Sequence, residues 1–418
     1  MAAAQRGHLP LAKLLLQHGA DVKAANNDDI TALMLAAHGG RVDAAKLLLE
    51  QGADVKAADN DGLTALMLAA QRGHVDAAKL LLEQGADVKA ADNDGVTALM
   101  FAAQGGHVDA AKLLLEHGVD VKAADNKGVT ALMLAAQGGH VDAAKLLLEH
   151  RAAVKAADND GVTALMLAAQ RGHVNAAKLL LEHRAAVKAA DNNGVTALML
   201  AAQGGHVDAA KLLSEHGADV KAVAQNGITV LMSAAQGGHL PVAKLILRHG
   251  ADVNAAQIDG STALMLAADG GHLALAKLLL EQGAHVRAAR QDGVVALMAA
   301  VQHGKHVDAA KLLLEHRADV NAAPIDGSTA LMVAANCGHM ALAKLLLEHR
   351  AHVRAARQDG VVALIFAVQG GHVAMATLLL ERRADVNAAT HGGITALMVA
   401  AENGDKAVTE LLLQYGAA

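Results

Sequence analysis

The chain is 418 residues long and 53% hydrophobic, yet it has no Trp, one Tyr and two Phe, so any core must be built from Leu, Ala, Val and Met. Its formal net charge of −6 is spread evenly, with 23 basic and 26 acidic groups in residues 1–250 and 13 and 16 in the remainder. With neither part basic and almost no aromatic side chains for base stacking, no nucleic-acid partner is expected.

The N-terminal stretch MAAAQRGHLPLAKLLLQHG lacks a basic region followed by a long apolar run and does not read as a signal peptide. It begins inside a unit, since residues 3–8 match the end of one short helix and residues 9–19 a complete second one. A truncated half repeat is therefore expected over residues 1–25, either as an abbreviated cap or as the cut edge of a longer protein.

The full unit stands at residues 59–91, DNDGLTALMLAAQRGHVDAAKLLLEQGADVKAA. Thr64 has the hydroxyl of an N-cap, and the run from Ala65 to Ala70 holds strong helix formers with no Gly or Pro. Gly73 interrupts; Val75, Ala78, Leu81 and Leu82 then recur at helical spacing, with Asp76 in the first turn and Gly85 at the C-terminal cap. The stretch from Gly85 to Val96 combines Asp, Asn and Gly and reads as an extended turn between units.

The same Thr-Ala-Leu-Met entry recurs at Thr31, Thr97, Thr130, Thr163, Thr196, Thr262, Thr329 and Thr395, with edited forms at Thr229, Val295 and Val362. Twelve units result, every interval being 33 residues except the 34 between Val295 and Thr329, and a fixed period of this size is the signature of a solenoid. Helices this short cannot bury their apolar faces alone and must stack on neighbours. An all-α class follows. Two uncharged stretches, residues 222–243 and 360–380, are long enough to span a membrane, but both are split by Gln-Gly-Gly-His in repeat phase, so no membrane insertion is expected.

Asp29 stands where other units have glycine and is expected at positive φ. Residues 26–224 are near-identical repeats, from 59 onward with fingers reading Asp-Asn-Asp, Asp-Asn-Lys or Asp-Asn-Asn, a solvated and mildly acidic edge. Residues 225–389 diverge, and here the duplicated unit is a pair of repeats: Ile258-Asp-Gly-Ser through Val295 returns as Ile325-Asp-Gly-Ser through Val362. Isoleucine and arginine on projecting turns are residue types that protein interfaces use, although drift of one ancestral pair accounts for them equally. On this departure from the flat repeat, Ile258, Arg290, Gln291, Ile325, Cys337, Arg357 and Gln358 are the candidate partner-binding residues.

Val295 and Val362 replace the capping threonine, at about 1 kcal/mol each, and the insertion His303-Gly-Lys-His306 falls in the first of these units. The Val295 unit is therefore expected to be the weakest internal joint. Residues 390–418 carry extra polar side chains suited to a capping repeat, with all four segments forming one continuous solenoid.

The pattern G-x-T-A-L-M-x-A-A-x-x-G-H followed by K-L-L-L-E-x-G-A-D-V resembles the ankyrin repeat over essentially the whole chain. The resemblance implies paired antiparallel helices with a projecting β-turn finger, stacked so that fingers and first helices line a concave protein-binding face. It implies a non-catalytic scaffold or adaptor for an unidentified protein partner. The alternatives are a regulatory piece of a larger enzyme or channel, and a spacer without a specific ligand. The family usually has Pro and His where this unit has Ala65 and Met67, so its Thr–His hydrogen bond is not carried over and Met67 is read as filling an apolar gap. The near-identical copies look similar to bacterial ankyrin-repeat proteins, some of which act on host proteins. A cytoplasmic location is implied, or delivery to a host cytosol by a route not visible in the sequence.

Neither metal nor cofactor is expected. Most of the 24 histidines fall into one set after Gly, such as His74 and His107, and another at second-helix ends, such as His117 and His150, spaced roughly 10–15 Å apart, several times a zinc–nitrogen bond of about 2 Å. They are read as hydrogen-bonding local backbone. His303 and His306 form a close pair without a carboxylate or thiol to complete a site. Cys337 beside His339 occupies a slot held by Arg72 or Gly106 elsewhere, and as the only cysteine it permits a reducing compartment without requiring one. Gly304-Lys305 is followed by His and forms no P-loop.

Overall fold

The computed structural model describes residues 1–304 and 306–418; Lys305, in the insertion, lies outside the described residues. Among the described residues there are 26 helices and no strand beyond isolated antiparallel bridges. A first helix, mostly of seven residues, alternates with a second of nine, as in Ala65–Gln71 and Val75–Glu83. Contacts divide the chain into two compact units, residues 1–201 with 206–219 and residues 202–205 with 220–418.

Within each unit the same residues do the same things. Leu66, Met67, Ala69, Ala70, Ala77, Ala78 and Leu81 are buried, and their counterparts in the second unit, such as Leu264, Met265, Ala267, Ala268, Leu275, Ala276 and Leu279, are too. The alanines let helices approach closely, while each buried Leu or Met contributes roughly 1.5–3 kcal/mol. The core is thus a ribbon of aliphatic side chains. No helix among the described residues is long and apolar enough to cross a membrane.

Several first helices, among them those opened by Thr31, Thr64, Thr130, Thr163 and Thr329, begin with a reciprocal cap. Thr64 Oγ1 accepts the N–H of Met67 at 3.4 Å, and Met67 Sδ accepts the N–H of Thr64 at 3.5 Å. A thioether therefore takes the part usually played by Glu or Gln in a capping box. Met67 does more than fill a gap: it is 1% exposed and also satisfies a helix-entry donor. Val295 and Val362 hold the same extended backbone but make no side-chain cap.

A glycine in the left-handed region ends the first helix, and the following histidine opens the second. His107 Nε2 donates to the carbonyl of Gln71 at 3.1 Å, and His140 to that of Gln104 at 3.0 Å. These partners lie 36 residues back, in the preceding repeat. The expectation of local backbone partners is thus corrected for this set: the ring is a staple between repeats. Its other nitrogen faces the preceding glycine, for a Cβ on Gly73 would fall 2.5 Å from His107 Nδ1. The second set does bond locally, as His117 does to the carbonyl of Leu113 at 2.8 Å.

At the end of the second helix the left-handed cap is glycine in most repeats, but arginine at Arg151, Arg184, Arg317, Arg350 and Arg383, with φ between 64° and 69°. Asp29 has φ 59°, as expected. The final repeat caps its last helix with Asp405, whose Oδ1 accepts the N–H of Val408 at 3.1 Å. Its Met398, however, is 57% exposed, where the buried counterparts Met67 and Met332 are 1%.

Candidate functional site

A finger closes where the residue before Asp59 bridges to the cap, Ala58 with Thr64, and Asp59 Oδ1 accepts the N–H groups of Asp61 and Leu63 at 3.0 and 2.8 Å. Successive fingers are then laced together. The N–H of Asn93 donates to the carbonyl of Asp61 at 2.9 Å, and its side-chain Nδ2 donates to the carbonyl of Asn60 at 2.9 Å. Asn60, Asn126, Asn159 and Asn192 repeat the side-chain rung, each to the residue 33 before it. A rung of this kind is worth about 1 kcal/mol at most when exposed.

The ladder continues in the second unit with different residues. Gln291 Nε2 donates to the carbonyl of Ile258 at 2.7 Å, and Gln358 Nε2 to the carbonyl of Ile325. These two candidate residues therefore have their amide donors committed within the array. Ile258 and Ile325 occupy rung positions in the intervening fingers and keep only the backbone bonds, their N–H groups donating to the carbonyls of Asn226 and Asp292 at 3.1 and 2.8 Å. Their side chains are 68% and 69% exposed.

After each isoleucine finger comes one copy of a charged arrangement. Arg290 sits 3.0 Å from Asp292 and 3.7 Å from Asp259 of the preceding finger. Arg357 pairs with Asp359, and its guanidinium lies 5.3 Å from the centre of the Phe366 ring. The bond from Arg357 holds the Asp359 carboxyl down to about 2. Hydrogen bonds from Ser261 and Ser328 depress Asp259 and Asp326 in the same way, assisted by Arg290 and Arg357. A cavity of about 190 Å³ opens where Arg357 and Phe366 meet Ser328, Met332, Val333 and Asn336. Exposed Cys337 follows Asn336 at the end of the helix Ala330–Asn336 and does not line that cavity.

Sequence reasoning missed Phe366 and the other half-buried apolar residues at its helical position, Leu35, Leu68, Phe101, Leu134 and Leu167 in the first unit. The signal was available as a first-helix position that is large and apolar beside the buried Leu-Met pair in most repeats, Ser233 and Ala299 holding it in two others. His303 corrects another reading: its Nε2 is 3.3 Å from Asp269 in the preceding repeat, so a carboxylate does stand beside the histidine pair. Among the described residues no group of three His, Cys, Asp or Glu side chains is placed to hold a metal ion.

The arrangement combines exposed apolar side chains, paired charges and a cavity on laced turns. No curated protein matches the chain. A family model described as ankyrin repeats, three copies per model, matches residues 1–92, 87–158, 150–224, 221–290, 285–357 and 353–418. Repeats of this family are generally protein–protein interaction modules. With the reciprocal caps, the stacked helix pairs and the matches running from the first residue to the last, the chain belongs to the ankyrin-repeat family.

Proposed function

We propose that the protein is a non-catalytic scaffold or adaptor, and that the fingers of the second unit, with the adjoining first-helix groove, receive a protein partner. One observation carries this reading. At Ile258 and Ile325 the chain gives up a ladder rung and exposes an aliphatic side chain instead, twice, in fingers that alternate with Arg290 and Arg357. A preorganised surface of this kind loses little conformational entropy on binding. Arg290 and Arg357 supply directional charge at its rim, and the cavity floored by Phe366 supplies an apolar pocket. Gln291 and Gln358 hold the fingers in place, and Cys337 lies beside the groove.

The test compares the intact chain with Ile258→Asn/Ile325→Asn in capture from source-cell lysate, each capture paired with urea unfolding. The double variant should lose a partner that the intact chain retains, while its stability is unchanged or slightly raised. A partner captured equally by both forms moves the binding face to the near-identical repeats.

A further inference from the structure

The edge of the second unit where the second helices end carries another set of inter-repeat bonds, and the residues that make them alternate. Asn254, Asn321 and Asn387 each reach the next repeat twice. Their Nδ2 groups donate to the carbonyls of Gly283, Arg350 and Gly416 at 3.1, 3.4 and 3.2 Å, and their Oδ1 atoms accept the N–H groups of His285, His352 and Ala418 at 2.8, 2.8 and 3.0 Å. Arg287 and Arg354 hold the same position in the repeats between. Each makes one bond, from Nε to the carbonyl of Arg317 at 3.2 Å and of Arg383 at 3.0 Å. The N–H groups of Asp319 and Asp385, equivalent to those the asparagines engage, have no hydrogen-bond acceptor among the described residues.

Arginine is therefore the poorer bridge at a place where the chain uses asparagine in alternate repeats. Its partners Arg317 and Arg383 are left-handed at φ 66° and 64°, as is Arg350 beside Asn321 at 68°, where Gly283 and Gly416 serve the other two asparagines. A left-handed L-residue costs roughly 1–2 kcal/mol. Neither Arg317 nor Arg383 has a side-chain hydrogen bond or ion pair among the described residues to offset it, and the same holds for ion pairs of Arg287 and Arg354. One arginine side chain thus rests on the backbone of another arginine, with an unused backbone donor beside them, and this happens twice. The nearby Asp319 and Asp385 carboxylates turn back to accept the N–H groups of Asn321 and Asn387 at 2.9 and 3.1 Å. A cavity of about 330 Å³ opens beside Arg354, walled by Val353, Ala384, Asp385 and His391. Left-handed arginine ends the helix at Arg317 and Arg383 as it does at Arg151, Arg184 and Arg350; what sets the two apart is the arginine bridge and the unused donor beside them.

We propose that Arg354 with Arg383, and its duplicate Arg287 with Arg317, each bind a phosphomonoester dianion carried on a segment of another protein. Two guanidinium groups match the charge of one dianion and can each donate two hydrogen bonds to its oxygens, with the N–H of Asp385 or Asp319 as a further donor. A carboxylate monoanion leaves one guanidinium unmatched. The sites are discrete rather than a continuous basic face, because Asn254, Asn321 and Asn387 separate them and Glu281, Glu315, Glu348 and Glu381 end the same helices. That pattern disfavours a membrane surface. The site stands on its own arginines, although its cavity adjoins the finger residues Gly360 and His391.

The test titrates the full chain with N-acetyl-phosphoserine amide, followed by 31P NMR, against N-acetyl-glutamate amide and phosphatidylserine-containing vesicles. Arg354→Asn restores the two-bond bridge and Arg383→Gly restores the unstrained cap, so each variant should be as stable as the parent or more so. Saturable phosphoserine binding at two sites is expected, weakened at least tenfold at one of them in either variant. It should vanish when Arg287→Asn and Arg317→Gly are added, and Lys344→Gln should leave it unchanged. Binding that survives all four substitutions, or falls equally with Lys344→Gln, overturns the proposal. So does equal affinity for the glutamate probe, or binding to vesicles alone.

Discussion

Glycine takes a left-handed conformation at the end of the first helix and, in most repeats, at the end of the second, and the structure separates their reasons. Gly106 has φ 68°, and a Cβ there would lie 2.5 Å from His140 Nδ1; Gly118 has φ 80°, and a Cβ there would meet nothing within 4 Å. Gly118→Ala should therefore cost only the backbone preference, roughly 1–2 kcal/mol. Gly106→Ala meets the same backbone cost and also pushes the imidazole aside. The ring then loses its 3.0 Å bond to the carbonyl of Gln104, worth about 1 kcal/mol, for a total of about 2–3 kcal/mol. Urea unfolding followed by circular dichroism gives the difference, and hydrogen exchange by mass spectrometry locates it, which matters because a repeat array need not unfold in one step. Protection should fall in the Thr97 and Thr130 repeats for Gly106→Ala alone. Equal costs for the two variants would refute the staple, and leave backbone conformation as the whole account.

Val295→Thr and Val362→Thr should each stabilise by about 1 kcal/mol by restoring the cap, seen as slower exchange at Met298 and Ile365; no change would mean the hydroxyl finds no donor in range. Hydrogen exchange should also open earliest at residues 290–310, where the missing cap adjoins the insertion. Met67→Leu removes a sulfur acceptor while keeping the volume, so it should cost under about 1 kcal/mol, with faster exchange confined to the N–H of Thr64. The Asp359 carboxyl, held to about 2 by Arg357, lies below its ordinary value, so its contribution is present above pH ~4 and lost as pH falls toward 2. Arg357→Gln should return that carboxyl to the ordinary carboxylate range in an NMR titration and remove this acid sensitivity of the finger.

Repeat phase made most of the fold legible, because period, cap and glycine positions are local and recur. The reading of Thr64 as a cap and Gly85 as a left-handed stop needed no tertiary information. What stayed hidden was the set of bonds between repeats. His107 and Asn93 look like ordinary polar surface until their acceptors, 36 and 33 residues back, are brought beside them. For the same reason Gln291 and Gln358 looked like contact residues, when phase alignment with Asn93 places them on the ladder. The alternation of Asn and Arg at positions 254 to 387 was readable too, but only the structure distinguishes two bonds from one. Left-handed arginine is illegible without φ, since Arg151 follows a helix in the same way as Gly118 does.

The histidine staples and asparagine rungs join atoms a fixed number of residues apart, so their chemistry is indifferent to which repeat is which. Recombination that removes or adds one period within the near-identical stretch re-forms the same donor–acceptor pairs at the new junction. Array length there can drift without leaving a wound, and gene duplication meets little resistance from folding.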